Sequence, residues 1–382
     1  MSESSIAFAI PEVTEEDVEA VTAVLRSGWL TTGTESLAFE AELSTYLGGP
    51  DVIALSSCTT ALEIALAHLR LPQGARVGVP AWTFASTGLA AVRNGLQPLL
   101  IDVDPDTLNL SAQALDAEAP DLQAVIPVHF AGTAVSAEVH ETAARHGLHV
   151  IEDAAHALGS SDQRGKIGSP GTSPTCFSFY ATKNLSSGEG GAIATTDPDL
   201  AKFARTYRLH GMDADAWARY KPGAKAGYDI TEPGIKANFP DLLATLGRSQ
   251  LKRFDHMQAK RRAIVERYRA NLADAQRNLG LGFVPGEMDS NSADHLMIVV
   301  LPERTQRDDV VAHMSANNIG TSVHFRPLHH FSWYRDNAEV AKAGLPTCDA
   351  MTDRVLSLPL HVGLSLNDVD RVCETLLAAL NQ

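Results

Sequence analysis

Hydrophobic and polar positions change their rhythm twice along the chain. Between residues 15 and 27 (EEDVEAVTAVLRS) Val18, Val21 and Leu25 recur at helical spacing, and Gly28 follows as a stop. Residues 34–47 predict a second helix, capped near Thr34. Then a beat sets in: strand-like apolar runs at 52–55, 76–79, 98–103, 123–128 and 148–152 alternate with helical stretches at 59–70, 84–94, 111–118 and 136–146. Short runs buried on both faces and separated by helices predict a mostly parallel sheet covered by helices, extended by strands at 175–180 and 191–195. After about residue 245 a long charged helix (248–277) leads into HLMIVVL (295–301), a helix at 306–317, IGTSVHF (319–325), VLSLPL (355–360) and a last helix at 365–380. That α+β order predicts a smaller C-terminal domain, 246–382, behind a large α/β domain, 1–245. The Gly-, Lys- and Pro-rich loop 211–238 is too long for a plain connector and is expected to be functional.

Composition narrows the function classes. The 382 residues are 45% hydrophobic and 20% charged, as in an ordinary globular protein. A net charge of −15 argues against a nucleic-acid partner, which needs a basic face, but leaves room for a phosphorylated ligand held by a few local donors. The four cysteines, Cys58, Cys176, Cys348 and Cys373, form no CxxC pair, which fits a reducing cytoplasm without disulfides. MSESSIAFAIPEV has neither a basic leader nor an apolar core, and no run is long enough to span a bilayer, so a cytoplasmic protein without membrane contact is expected.

Several motifs fail on their spacing. GSSDQRGKI (159–167) has one residue too many for a Walker loop and Ile167 where a magnesium-binding hydroxyl belongs. No GxGxxG follows the first strand. In HETAARH the six-residue spacing turns His140 and His146 to different helix faces, and no metal site is expected.

Three segments carry chemistry. IEDAAHALGS (151–160) ends a buried strand in two acids, with Asp153 at the carboxyl edge where ligands of open α/β sheets bind; a helix N-cap carboxylate is the competing reading. In TCFSFYATKNLSSGEGGAI (175–193) Lys183 sits between a buried strand and a Gly-rich turn. A desolvated amine there is nucleophilic, whereas most single lysines simply snorkel to the surface. LSSCTTALEIAL (55–66) runs from strand through small hydroxyl residues into a helix, which offers N–H groups to a phosphate or else is a plain capping turn. Together they supply what a pyridoxal-phosphate site needs: an amine, a carboxylate for the pyridine nitrogen and an anion cup.

On these motifs, with PAWTFAST, VHFAG, RLHGMD and VHFRPLHH, the sequence resembles the DegT/DnrJ/EryC1/StrS sugar aminotransferases nearly end to end, from SGWLTTG (27–33) to VLSLPLH (355–361). Through HGMDADAWARY and HFRPLH it looks most similar to enzymes that aminate a UDP-4-keto-pentose. The resemblance implies an aspartate-aminotransferase-like fold (fold type I) and pyridoxal 5'-phosphate as cofactor. It also implies an amino group taken from an amino acid, most often L-glutamate, and given to a nucleotide-linked keto sugar, with ping-pong kinetics. Position by position it implies that Lys183 holds the cofactor and moves the proton, and that Asp153 pairs with the pyridine nitrogen. His156 would bond the ring hydroxyl and Phe84 stack on the ring. Thr59, Thr60, the Cys58 backbone and Ser178 would hold the phosphate, completed by Asn238 from the other subunit of a homodimer. Thr31, His324, Arg326 and His329 would meet the substrate. Cys58 stands where the family usually has Gly or Ala. The rivals are a sugar dehydratase of the same fold, which carries His in place of Lys183, a cofactor-binding regulator without turnover, and a nicotinamide-dependent enzyme, which lacks its Gly-rich fingerprint here.

Overall fold

The computed structural model describes residues 5–213 and 228–381. Residues 214–227, and with them most of the HGMDADAWARY segment, lie outside the described residues. Strands Glu339–Val340, Gln97–Ile101, Arg76–Pro80, Ala124–Val125 and His149–Val150 lie side by side in that order, all parallel. The last of these runs on into Glu152–Asp153, which pairs parallel with Thr175–Ser178 and, through Asp153, with Val128. Gly191–Thr195 then runs against Thr175–Ser178 and against Asp51–Leu55. The expected mostly parallel sheet is therefore present, with Gly191–Thr195 reversed. Its strands are buried on both faces: one face by a cluster including Ile53, Val77, Leu100 and Ile193, the other by two clusters, Phe39, Ala54, Phe177 and Ala192 at one end and Leu99, Ile101 and Val125 with Leu115 and Val139 at the other. The alternation of adjacent residues between the clusters is the two-residue period of a strand.

A second, antiparallel sheet of Gly282–Val284, Met297–Val300 and Val355–Leu358 is covered by helices Phe254–Leu279, Arg307–Ala316 and Leu366–Leu380 around Tyr268, Val299, Met314 and Val372. The chain does not stay with this sheet: Leu328, Tyr334, Leu345 and Cys348 pack into the core of the parallel sheet, where Glu339–Val340 forms the edge strand. No helix among the described residues is long and apolar enough to cross a membrane.

Four sequence expectations change. The helix Glu15–Ser27 buries Asp17 and Val24, while Val18 and Leu25 are exposed. The inward face is set by Arg253, whose guanidinium grips Asp17 through two bonds of 2.8 and 2.6 Å. The helix Thr34–Leu47 takes its cap from a distant residue: Asp241 Oδ1 accepts from the Gly33 and Ser36 amides at 2.7 and 2.9 Å. The single helix expected over 248–277 is two, Asp241–Lys252 and Phe254–Leu279, parted where Arg253 leaves helical geometry (φ −110, ψ 9). IGTSVHF forms no strand. Ser322 exchanges two backbone bonds with Ser357, and the chain then turns to put the His324 carbonyl on Trp82 Nε1 at 3.2 Å.

Candidate functional site

Parallel strands end on one edge, and their C-terminal loops converge there. Asp153, Ser178 and the Ser57–Thr59 turn all lie at this edge and line one cavity of about 430 Å³ with Phe84, His156, Lys183 and His324.

Asp153 is 4% exposed, and burial pushes its carboxyl above the usual carboxylate range. Its oxygens are held on both sides: Thr87 donates its hydroxyl to Oδ2 at 2.9 Å, and the Ala155 amide donates to Oδ1 at 3.1 Å. The neighbouring acid, Glu152, points to the other face of the strand. There His129 at 2.7 Å and Arg164 at 2.9 Å hold its pKa down at about 2. Two adjacent carboxyl groups thus serve opposite ends, one locked into an ion-pair network and one facing the cavity.

Lys183 follows the strand Thr175–Ser178 through a turn in which its amide bonds the Tyr180 carbonyl at 2.9 Å. The Gly-rich segment folds back over that turn, with Phe179 N on Gly190 O at 2.8 Å and Ser187 N on Phe179 O at 2.9 Å, while Leu185 is buried beneath. Burial lowers the amine to about 8, with Cys58 and Asp153 pulling the other way. A neutral, nucleophilic amine is therefore accessible near neutrality.

The third part is the start of helix Cys58–His68. Ser57 caps it by accepting from the Thr60 amide at 3.1 Å, and Thr60 Oγ1 donates back to the Ser57 carbonyl at 2.8 Å. Cys58 and Thr59 occupy the first two helical positions, whose N–H groups have no acceptor inside the helix, so this end favours an anion. The Cys58 thiol points inward, 3.4 Å from the Cys176 carbonyl, and burial raises its pKa. Gly191 makes the close approach of strand and helix start possible, since a Cβ there would collide with the Ser57–Cys58 backbone.

Above these lie rings. His156 accepts from the Ala131 amide through Nδ1 at 3.3 Å and packs near Phe325, centroids 5.8 Å apart. Phe84, 61% exposed, faces the cavity mouth at 6.0 Å from Phe325. His324 Nδ1 pairs with Ser357 Oγ at 3.0 Å, and burial lowers its pKa to about 4.

Five of the expected residues do not line this cavity. Thr60 does not, because its amide and hydroxyl are both spent on Ser57. Asn238 lies outside it; its Nδ2 donates to Thr32 Oγ1 at 2.8 Å, and Lys236 Nζ bonds its Oδ1. Thr31 is exposed, and its carbonyl accepts from the Asp241 amide at 3.1 Å. Arg326 folds back onto the His330 carbonyl at 2.7 Å. His329 and His330 both turn to Asp349 Oδ1, at 2.8 and 3.2 Å, and the three side chains have donor atoms within 4.8 Å of one another. Sequence reasoning in turn missed Thr87, Asn184, His295 and Phe325. Thr87 and Asn184 stand inside the quoted motifs PAWTFAST and ATKNLSSGEGG, so they were visible without a role. His295 opens the apolar run HLMIVVL, where nothing marks it.

A buried carboxyl group, an amine of lowered pKa and a helix start with free N–H groups sit around one cavity, and this donor set fits pyridoxal 5'-phosphate. Fold and site are those of a pyridoxal-phosphate-dependent aminotransferase of fold type I. The chain belongs to the DegT/DnrJ/EryC1/StrS aminotransferase family, whose model matches residues 11–377. It is 38% identical over 373 residues to the spore coat polysaccharide biosynthesis protein SpsC of Bacillus subtilis, covering 96% of this chain and 95% of SpsC. Spr1654 of Streptococcus pneumoniae in its PMP-form superposes with a TM-score of 0.90 at 28% identity, covering 98% and 99% of the two chains. DesI, solved in the presence of its TDP-sugar product, gives a TM-score of 0.86 at 29% identity over 99% and 94%.

Proposed function

We propose that this enzyme moves an amino group from L-glutamate to the keto carbon of a nucleotide-linked sugar, a 4-keto pentose or hexose, in the cytoplasmic synthesis of an amino sugar. The observation that carries the reading is the placement of Lys183 between Asp153 and the Cys58–Thr59 helix start on one cavity. DesI, with its TDP-sugar product, supports the nucleotide-linked class of substrate.

In this reading the cofactor supplies the electron sink for breaking a bond to carbon. Asp153 keeps a positive charge on the ring nitrogen by placing a carboxylate against it. His156 donates to the ring oxygen, Phe84 covers the ring face, and Thr59, the Cys58 amide and Ser178 bind the phosphate. Lys183, as a free amine, would take a proton from one carbon and return it to another as base and then acid. His324 at the mouth meets the substrate. Asn238 serves the partner's phosphate in a homodimer. Support for a dimer comes from Asn238 lying outside its own cavity and from the exposed apolar side chains Ile10, Val13, Val18, Leu25, Leu30 and Leu37 of the N-terminal segments. The test is amination of a panel of UDP- and dTDP-linked 3- and 4-keto sugars with L-glutamate. An enzyme that consumes glutamate but aminates none of them overturns the reading.

A further inference from the structure

His295 is 5% exposed and lies in the cavity wall beside His156, ring centroids 4.3 Å apart and tilted by 37°. Its orientation is fixed by the residue that follows the catalytic lysine. Asn184 Nδ2 donates to the Ala293 carbonyl at 2.6 Å and to Gln258 Oε1 at 2.9 Å. A carbonyl can only accept, so the nitrogen of the Asn184 amide must face it and Oδ1 must face His295 Nδ1, 2.8 Å away. His295 therefore carries its proton on Nδ1 and a lone pair on Nε2. The neighbouring ring has the reverse assignment: the Ala131 amide donates to His156 Nδ1, which leaves the proton of His156 on Nε2.

We propose that His295, oriented by Asn184, is a positioning residue that holds His156 as a neutral Nε2–H donor toward the cofactor's anionic ring oxygen. Two local features oppose charging the pair. A proton on His156 Nδ1 would face the Ala131 N–H, donor against donor. A proton on His295 Nε2 would place a cation against the adjoining His156 ring. Burial lowers both imidazoles well below their ordinary range, and the cationic groups nearby, Lys183 beside both rings and Arg261 beside His295, act in the same direction. No hydrogen bond to His295 Nε2 is formed among the described residues, so this nitrogen is left to accept inside the cavity. His156 needs this support because a charged imidazolium at its place would compete with Asp153 for the charge balance of the bound ring, and a flipped one would offer a lone pair to an anion. The inference rests on the cofactor contacts proposed above, but not on the identity of the sugar.

The experiment uses full-length protein freed of cofactor, with 15N-labelled histidine, and assigns the two rings from His156→Asn and His295→Phe. Expected in the unmodified chain are opposite neutral tautomers, Nδ1–H for His295 and Nε2–H for His156, neither titrating between pH 5.5 and 8.5. Asn184→Ala should mix the His295 tautomers; the fold is protected because Gln258 Nε2 already donates to the Ala293 carbonyl at 2.9 Å. His295→Phe keeps a flat ring against His156 and should weaken pyridoxal-phosphate binding about tenfold, as expected from loosening one hydrogen bond to a charged group. The proposal is overturned by matching tautomers in the two rings, by titration of either near pH 6.5, or by a His295 signal unchanged in Asn184→Ala. Unchanged cofactor affinity in His295→Phe overturns it as well. Failure of every sugar in the assay panel would leave these nitrogen shifts as they are, so the two readings fail separately.

Discussion

Thr87 reaches across 66 residues of sequence to donate its hydroxyl to Asp153 Oδ2 at 2.9 Å, and Thr83 joins Thr87 at 2.8 Å behind it. The carboxyl group that faces the cavity is thus anchored from the helix Ala85–Arg93, whose N-terminal neighbour Phe84 stands at the cavity mouth. Thr87→Val should remove a bond to a charged group worth about 1.5–3 kcal/mol, push the Asp153 pKa further up and slow turnover roughly ten- to a hundredfold. Thr87→Ser should restore both. Steady-state rates with the cofactor saturating decide the matter; an unchanged rate in Thr87→Val would make the contact merely structural.

Asp153→Asn leaves a side chain that cannot hold a charge against the ring nitrogen. The proton-transfer step should slow by on the order of a hundredfold or more, measured in single turnovers. A variant with the unmodified single-turnover rate would reduce Asp153 to a strand-end cap.

Lys183→Ala should abolish transamination and remove the adduct that borohydride traps between protein and cofactor. Peptide mapping that finds the adduct on another lysine would refute the assignment.

The lowered pKa of Lys183, about 8, has a consequence in the cofactor-free protein. Acylating reagents should modify this amine with a midpoint near pH 8. The sign for stability follows from proton counts. Between about 8 and 10.5 the unfolded chain holds the proton and the folded one does not, so stability rises with pH across that window. Relative to Lys183→Met, the unmodified chain should gain stability from pH 8 to 10 in urea titrations. A difference flat in pH would mean that the amine is not desolvated.

Asn238 in trans can be tested with heterodimers of Asn238→Ala and Lys183→Ala chains. The site on the Asn238→Ala chain keeps Lys183 and receives Asn238 from its partner, so it should bind cofactor normally and give about half of the unmodified activity. Loss of the bond in the Asn238→Ala homodimer should cost about one to two orders of magnitude in cofactor affinity. Weak binding in the heterodimer as well would place Asn238 in its own chain's site.

The sheet and the three chemical segments were legible because each is written locally. Apolar runs such as 76–79 and 98–103 announce strands, and a lysine framed by a buried strand and GEGG has few other uses. What stayed hidden depends on long-range contacts. Val18 and Leu25 satisfy helical periodicity equally well as Asp17 and Val24, and Arg253, more than 220 residues on, decides which face turns inward. IGTSVHF has the composition of a strand, but Trp82 and Ser357 take its backbone and side-chain groups. Thr60 looks like a phosphate ligand until Ser57 claims it, and His295 acquires meaning only beside Asn184.

The helix Phe254–Leu279 begins in the core beneath the turn that carries Lys183, with Phe254, and ends in the core of the antiparallel sheet, with Tyr268 and Leu272. Gln258, one turn in, braces Asn184 at 2.9 Å. At 26 residues it is a rod of about 39 Å, stiff enough that a tilt at its far end is carried to the side chain next to Lys183. The helix therefore ties the C-terminal sheet to the turn that carries Lys183. A chain cut before Phe254 would lose not an accessory module but the strut that braces Asn184, together with His295, His324 and Phe325 of the cavity wall.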